Sequence, residues 1–123
     1  MPMAKILLVE DNAMNLDILS RHLQRRGFGF VTACDGDRAV QLAHSEQPDL
    51  ILIDMNLPVK DGWSAVREIK ASAVTRDIPL IALTAYSSEN DREKALAAGC
   101  DEYQMKPFRA KDLFDKIETL LHA

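Results

Sequence analysis

The sequence predicts an α/β domain built on a five-stranded parallel sheet, strand order 2-1-3-4-5, with helices on both faces. Three observations predict it. The runs Lys5 to Glu10 (KILLVE), Leu50 to Ile53 (LILI) and Ile78 to Leu83 (IPLIAL) are apolar without polar alternation, as in parallel strands buried on both faces. They alternate with helical apolar spacings and short loops, as successive βα units do. The run Phe28 to Cys34 is weaker, which suits an edge strand lying outside the first.

Each element has its own signals. After the first strand, Asp11 or Asn12 can cap a helix whose apolar positions are Leu16, Leu19 and Leu23, stopped by Gly27. The second strand closes at Asp35-Gly36, and Ala39, Val40, Leu42 and Ala43 mark a short second helix ending before Pro48. The third strand stops at Asp54, and the chain turns through Leu57-Pro58 and Asp61-Gly62 into a helix carrying Ala65, Val66 and Ile69. The fourth strand ends at Thr84-Ala85. Ser88 with Asp91 resembles a capping box for a fourth helix reaching Ala98, with Gly99 as its stop. A fifth strand, Glu102 to Met105, leads to Lys106-Pro107. The last helix, Ala110 to Leu121, has Leu113, Ile117, Leu120 and Leu121 on one face. The strand order is flavodoxin-like.

Composition narrows the function classes. A chain of 123 residues is one domain, long enough to bury about two-thirds of its unfolded surface without staples. A net charge of -4 argues against a nucleic-acid module, which normally carries a basic face. Cys34 and Cys100 are far apart and not in a metal-ligand spacing, and there is no secretory or long apolar segment. The expectation is a cytoplasmic protein with reduced thiols and no membrane partner. No linker, repeat or low-complexity stretch marks a second domain.

In such a sheet the carboxyl ends of the strands converge on one crevice. Here they deliver Glu10 and Asp11, then Asp54, Thr84 and Lys106. Taken singly, each has a plainer role: helix caps, a strand-end hydroxyl, a surface cation. Together, three acids repel one another, and such a cluster is tolerable when a cation occupies it. Hard carboxylate donors favour Mg²⁺ held by few protein ligands and several waters. Lys106 can pair with one acid and later with a phosphoryl oxygen. The crevice is expected to be charged and exposed.

The combination of Lys5-to-Asp11, Asp54, Asp61-Gly62, Thr84-Ala85 and Lys106-Pro107-Phe108 resembles the response-regulator receiver domains of bacterial two-component signalling, over the whole chain. The resemblance implies that Asp54 is the phosphoacceptor, that Glu10, Asp11 and Asp54 hold Mg²⁺, and that Asn56 gives the metal its backbone carbonyl. It implies Thr84 as a switch hydroxyl, Lys106 as the phosphate-pairing cation, and Tyr103 as the aromatic that follows Thr84. The backbone amide of Ala85 would join Thr84 on the phosphoryl oxygens. Leu57 and Val59 depart mildly from the family, standing where Met is frequent. The opening Glu10-Asp11-Asn12 with Asn15 is similar to receivers of hybrid histidine kinases and some stand-alone relays.

The implied partners are a histidine kinase or histidine phosphotransferase as donor, and a protein effector at the face formed by helix 4, strand 5 and helix 5. With Leu16, Leu19 and Leu23 toward the sheet, Met14 and Ile18 point outward. With Tyr86 and Pro107 they would form an apolar rim around the acids where the donor docks. The domain is expected to span residues 1–123, with no output domain after the last helix, no nucleic-acid partner, and no enzymatic turnover beyond its own phosphorylation and dephosphorylation. Two rivals share parts of the pattern. A haloacid-dehalogenase-type phosphatase needs a second acid where Asn56 stands. A flavodoxin needs a Ser/Thr/Gly-rich loop where Glu10-Asp11-Asn12-Ala13-Met14 stands.

Overall fold

Successive side chains of a strand point to opposite faces, so an uninterrupted apolar run needs a core on each side of the sheet. The computed structural model, which describes residues 4–55, 57, 62–84, 89–106 and 108–122 (for 89–92 and 95 the backbone alone), has this two-sided core. The strands are β1 (Lys5–Val9), β2 (Gly29–Ala33), β3 (Leu50–Asp54), β4 (Leu80–Thr84) and β5 (Glu102–Met105). All neighbouring pairs are parallel and the order is β2-β1-β3-β4-β5. The helices are α1 (Ala13–Arg25), α2 (Gly36–Glu46), α3 (Gly62–Ala71), α4 (Glu89–Ala98) and α5 (Ala110–Leu121).

On one face Leu7, Val9, Ile51, Ile53, Leu80 and Ala82 pack with Ala39 and Ala43 of α2 and with Ala65, Val66 and Ile69 of α3. On the other, Ile6, Leu8, Leu50, Leu52, Ile81 and Leu83 pack with Leu19 and Leu23 of α1 and with Leu113, Phe114 and Ile117 of α5. The alternation of odd and even positions thus divides one sequence run between two cores. β2 is only partly buried except at Ala33, as an edge strand should be.

Local chemistry sets the boundaries. Asn12 caps α1, its Oδ1 accepting the Asn15 amide at 3.0 Å, and Asp35 caps α2 by accepting the Arg38 amide at 2.8 Å. Asp35-Gly36 is therefore a helix start as much as a strand end, and α2 begins earlier than its apolar positions suggest. The stop before Pro48 falls on Gln47, a left-handed residue at φ 47°. Its Nε2 donates to the carbonyls of Ala43 (3.3 Å) and His44 (3.0 Å), satisfying the helix end that glycine would otherwise close. β4 begins at Leu80 rather than Ile78, because Pro79 has no amide to give the ladder and Ile78 closes the preceding turn on Thr75. The predicted Ser88 cap, with Pro58, Val59 and Asp61, lies outside the described residues, as does the side chain of Asp91.

Candidate functional site

Three main-chain hydrogen bonds carry the sheet one residue past its strands and fix the site. The Glu10 amide donates to Ala33 O at 3.0 Å, the Met55 amide to Leu83 O at 3.0 Å, and the Lys106 amide to Thr84 O at 2.7 Å. Glu10, Asp54 and Lys106 are thereby held on three strand ends at the same edge of the sheet. Lys106 Nζ lies 2.8 Å from Asp54 Oδ2 and 3.5 Å from Glu10 Oε2. Glu10, Asp11 and Asp54 each bring a carboxylate oxygen within 4.8 Å of the others.

The expected exposed crevice is mostly a buried one. Glu10 is 1% exposed, Asp54 5% and Thr84 2%, and of the acids Asp11 alone faces solvent. Each stands within one ladder step of the two-sided core, next to residues that are buried on both faces. Glu10 Oε1 accepts the Asn12 amide at 3.1 Å, while the buried Oε2 has no hydrogen-bond partner among the described residues. Burial raises the Glu10 pKa, the Asn12 amide opposes this, and the Asp54 charge raises it further. Burial pulls the Lys106 pKa down, but the hydrogen bond and charge of Asp54, then Glu10, outweigh it and leave it raised. Lys106 is therefore firmly cationic, facing more negative charge than it can balance.

This donor set fits a small hard dication. Three carboxylates meet one ammonium, the buried Glu10 Oε2 has only a long ion pair to Lys106, and Asp11 leaves the cluster open toward water. Few protein ligands and an open side suit Mg²⁺, which keeps several of its waters.

Gly62, which the sequence marks only as a turn residue, is a packing residue of the site. Its amide donates to Met55 O at 3.2 Å. A Cβ there would stand 2.4 Å from Met55 Cα and 3.0 Å from Asp54 O. Only glycine lets the start of α3 close against the end of β3. Thr84 shares the sheet face of Ala82, whose register partner on β5 is Tyr103. Thr84 and the partly buried Tyr103 thus face the same side. Lys116 of α5, which no motif singles out, donates to Tyr103 O at 2.9 Å and Gln104 Oε1 at 2.7 Å, tying α5 to β5.

Of the expected docking residues, Met14 is 72% and Ile18 47% exposed on α1, and Ile18 lines the same hollow as Glu10 and Lys106. Asn56, Ala85, Tyr86 and Pro107 lie outside the described residues. Leu57 packs against the core on the α2/α3 face. No helix among the described residues is long and apolar enough to cross a membrane.

A parallel 2-1-3-4-5 sheet with acids at the ends of β1 and β3 and a lysine after β5 defines a class of α/β domains with a charged site at the carboxyl ends of the strands. The comparison with known proteins makes the class particular. Residues 6–118 match the family model of the response regulator receiver domain, so the chain belongs to that family and to two-component signalling. This removes the phosphatase and flavodoxin rivals. The chain is 40% identical over 117 residues to the phosphate regulon transcriptional regulatory protein PhoB of Klebsiella pneumoniae, covering 95% of this chain and 51% of that protein. The receiver domain of a sensor histidine kinase from Pseudomonas aeruginosa is 39% identical with a TM-score of 0.92, over 99% of this chain and 100% of that one. That structure has a magnesium ion coordinated in its active-site cleft. The chemotaxis response regulator CheY4 of Vibrio cholerae is 28% identical with a TM-score of 0.90, over 97% and 99% of the two chains. The chain spans about half the length of the curated relatives it matches. Those relatives are named as transcriptional regulators, so they lend no support to the expectation that nucleic acid plays no part.

Proposed function

We propose that this domain accepts a phosphoryl group from a phosphohistidine donor onto Asp54 and passes the event to a protein partner. The observation that carries the reading is Lys106 Nζ held between Asp54 (2.8 Å) and Glu10 (3.5 Å), with the Asp11 carboxylate completing the cluster. A carboxylate attacks a phosphoryl donor slowly because both are anionic. Lys106 lowers that repulsion by positioned positive charge, the main resource of phosphoryl-transfer sites. Glu10, Asp11 and Asp54, with the Asn56 carbonyl, would hold Mg²⁺, which when bound neutralises further charge on the transferring group. The Asp54 oxygen forms a bond to phosphorus while the phosphorus–nitrogen bond to the donor histidine breaks, its electron pair leaving with the imidazole. The domain catalyses only this step and the later hydrolysis of the acyl phosphate.

The new phosphoryl oxygens need donors. Thr84 Oγ and the Ala85 amide would provide them, drawing Thr84 inward and letting Tyr103 follow on the same sheet side. The Lys116 bonds would carry that change from β5 into α5, altering the face of α4, β5 and α5 that meets the effector. The donor, a histidine kinase or histidine phosphotransferase, would dock on Met14, Ile18, Tyr86 and Pro107.

The test is labelling by acetyl phosphate with Mg²⁺, read by intact mass. Wild type should gain one phosphoryl group, and Asp54→Asn, still folded by circular dichroism, should gain none. Equal uptake by the two would overturn the assignment of Asp54.

A further inference from the structure

A groove of about 460 Å³ runs from the acid cluster along the seam between α1 and α5. One end is made by Glu10 and Lys106, the walls by Ile18, Leu19, Phe108 and Ala110, and Asn15 and His22 add polar atoms. Three features suit a small molecule. The volume falls in the range of about 300–1,000 Å³ usual for small-molecule pockets. The walls are mainly apolar, with a few converging polar groups. The charged end belongs to the same Lys106 that holds Asp54 at 2.8 Å, so the groove adjoins the phosphoacceptor. Ala110, the first residue of α5, is the smallest residue in the lining, and a larger side chain there would take up part of the space.

We propose that the groove receives the acyl group of small acyl-phosphate donors, so that the domain prefers donors with a flat apolar acyl group to acetyl phosphate. The inference rests on the phosphoacceptor reading above. In the step, an Asp54 carboxylate oxygen bonds to phosphorus, the bond from phosphorus to the acyl oxygen breaks, and its electron pair leaves with the carboxylate product. No proton is transferred. Lys106 and Glu10 border both Asp54 and the groove, so a donor held at Asp54 has the groove beside it.

The experiment compares benzoyl phosphate with acetyl phosphate, each with Mg²⁺, in wild type and in Ala110→Leu. Partial burial of a phenyl ring is expected to favour benzoyl phosphate by about 10-fold. Comparing the two proteins cancels the intrinsic reactivity of the donors: in Ala110→Leu the benzoyl-to-acetyl rate ratio should fall by about that factor. An unchanged ratio with normal acetyl phosphate labelling would overturn the inference and leave the Asp54 assignment standing. No labelling of wild type by either donor would overturn both. A second measurement needs no variant: phenylphosphonate, which cannot transfer its group, should shift the methyl resonances of Ile18 and Ala110 in the wild-type protein. If it leaves them unmoved, the groove belongs to a macromolecular partner and the inference fails.

Discussion

Gly62 and Met55 are packed so closely that a methyl group on Gly62 would stand 2.4 Å from Met55 Cα. This contact locks the first turn of α3 onto the residue after Asp54, so it bears on the chemistry as well as on the fold. Gly62→Ala is expected to cost about 1–3 kcal/mol by overpacking, read as a lower urea midpoint. It should also slow acetyl phosphate labelling, because the main chain carrying Asp54 must shift. Normal stability and labelling together would mean the contact relaxes freely.

Lys106 is the cation that makes the buried acids tolerable without metal. Lys106→Met leaves Glu10 and Asp54 facing each other with no ammonium between them. Loss of one partner of a buried pair leaves uncompensated charge, and with Lys106 partly exposed the expected cost in EDTA is about 3 kcal/mol. Mg²⁺ at saturating concentration should recover much of it, since a ligand of the folded state alone stabilises by mass action. Lowering the pH should also recover stability. The folded Glu10 pKa is raised, so its favourable contribution is full below the ordinary value of 4.5 and is lost as pH rises through the folded value. A Lys106→Met protein as stable as wild type in EDTA at neutral pH would contradict this balance.

The two cysteines should behave oppositely. Cys34 is exposed and Cys100 buried. Burial, with the neighbouring Asp101 charge, pushes the Cys100 thiol up to about 12 from an ordinary 9.0. A disulfide reagent should modify Cys34 quickly in the native protein and Cys100 only as the chain unfolds. The raised pKa also fixes the sign of a pH effect. Its contribution to stability is complete below 9.0, and is lost as pH climbs from there toward the folded value. The stability gap between wild type and Cys100→Ala should therefore move against wild type above about pH 9, by up to about 1.4 kcal/mol per pH unit. Urea midpoints at about pH 8 and about pH 10 check it, and a constant gap would show that the thiol titrates normally.

The sequence was informative where a pattern is local. Two-sided apolar strands, capping residues and helix stops give the element order, and a charged residue after each apolar run gives Glu10, Asp54 and Lys106. What was not legible depends on approach between distant segments. The burial of Asp54 follows from packing around the strand end, which the run LILID does not encode. Gly62 could be read as a turn but not as a contact with Met55. Lys116 sits among the charges of an amphipathic helix and looks like a solvated residue, yet it reaches β5. The groove between α1 and α5 is lined by residues from two segments that are far apart in sequence, Ile18 and Leu19 against Phe108 and Ala110. Periodicity is silent on such pairings.

The last prediction concerns the donor. Met14 and Ile18 stand four residues apart on α1, on the side opposite the buried Leu19 and Leu23, and both are well exposed. Single exposed apolar residues are ordinary, but a pair beside a buried charged site marks an association surface. A protein donor must bring its phosphohistidine to Asp54 past this helix, whereas acetyl phosphate is small enough to need no such contact. Ile18→Asp places a carboxylate at the centre of that approach without touching Asp54 or Lys106. Transfer from a cognate histidine kinase or phosphotransferase should fall by at least about 10-fold, the effect of losing one well-buried apolar contact. Labelling by acetyl phosphate should fall far less, because its small acetyl group needs no contact with Ile18 and an exposed charge is weakly felt. Parallel loss of both activities would mean that the substitution disturbed the fold of α1, and retention of both would place the docking surface on another face.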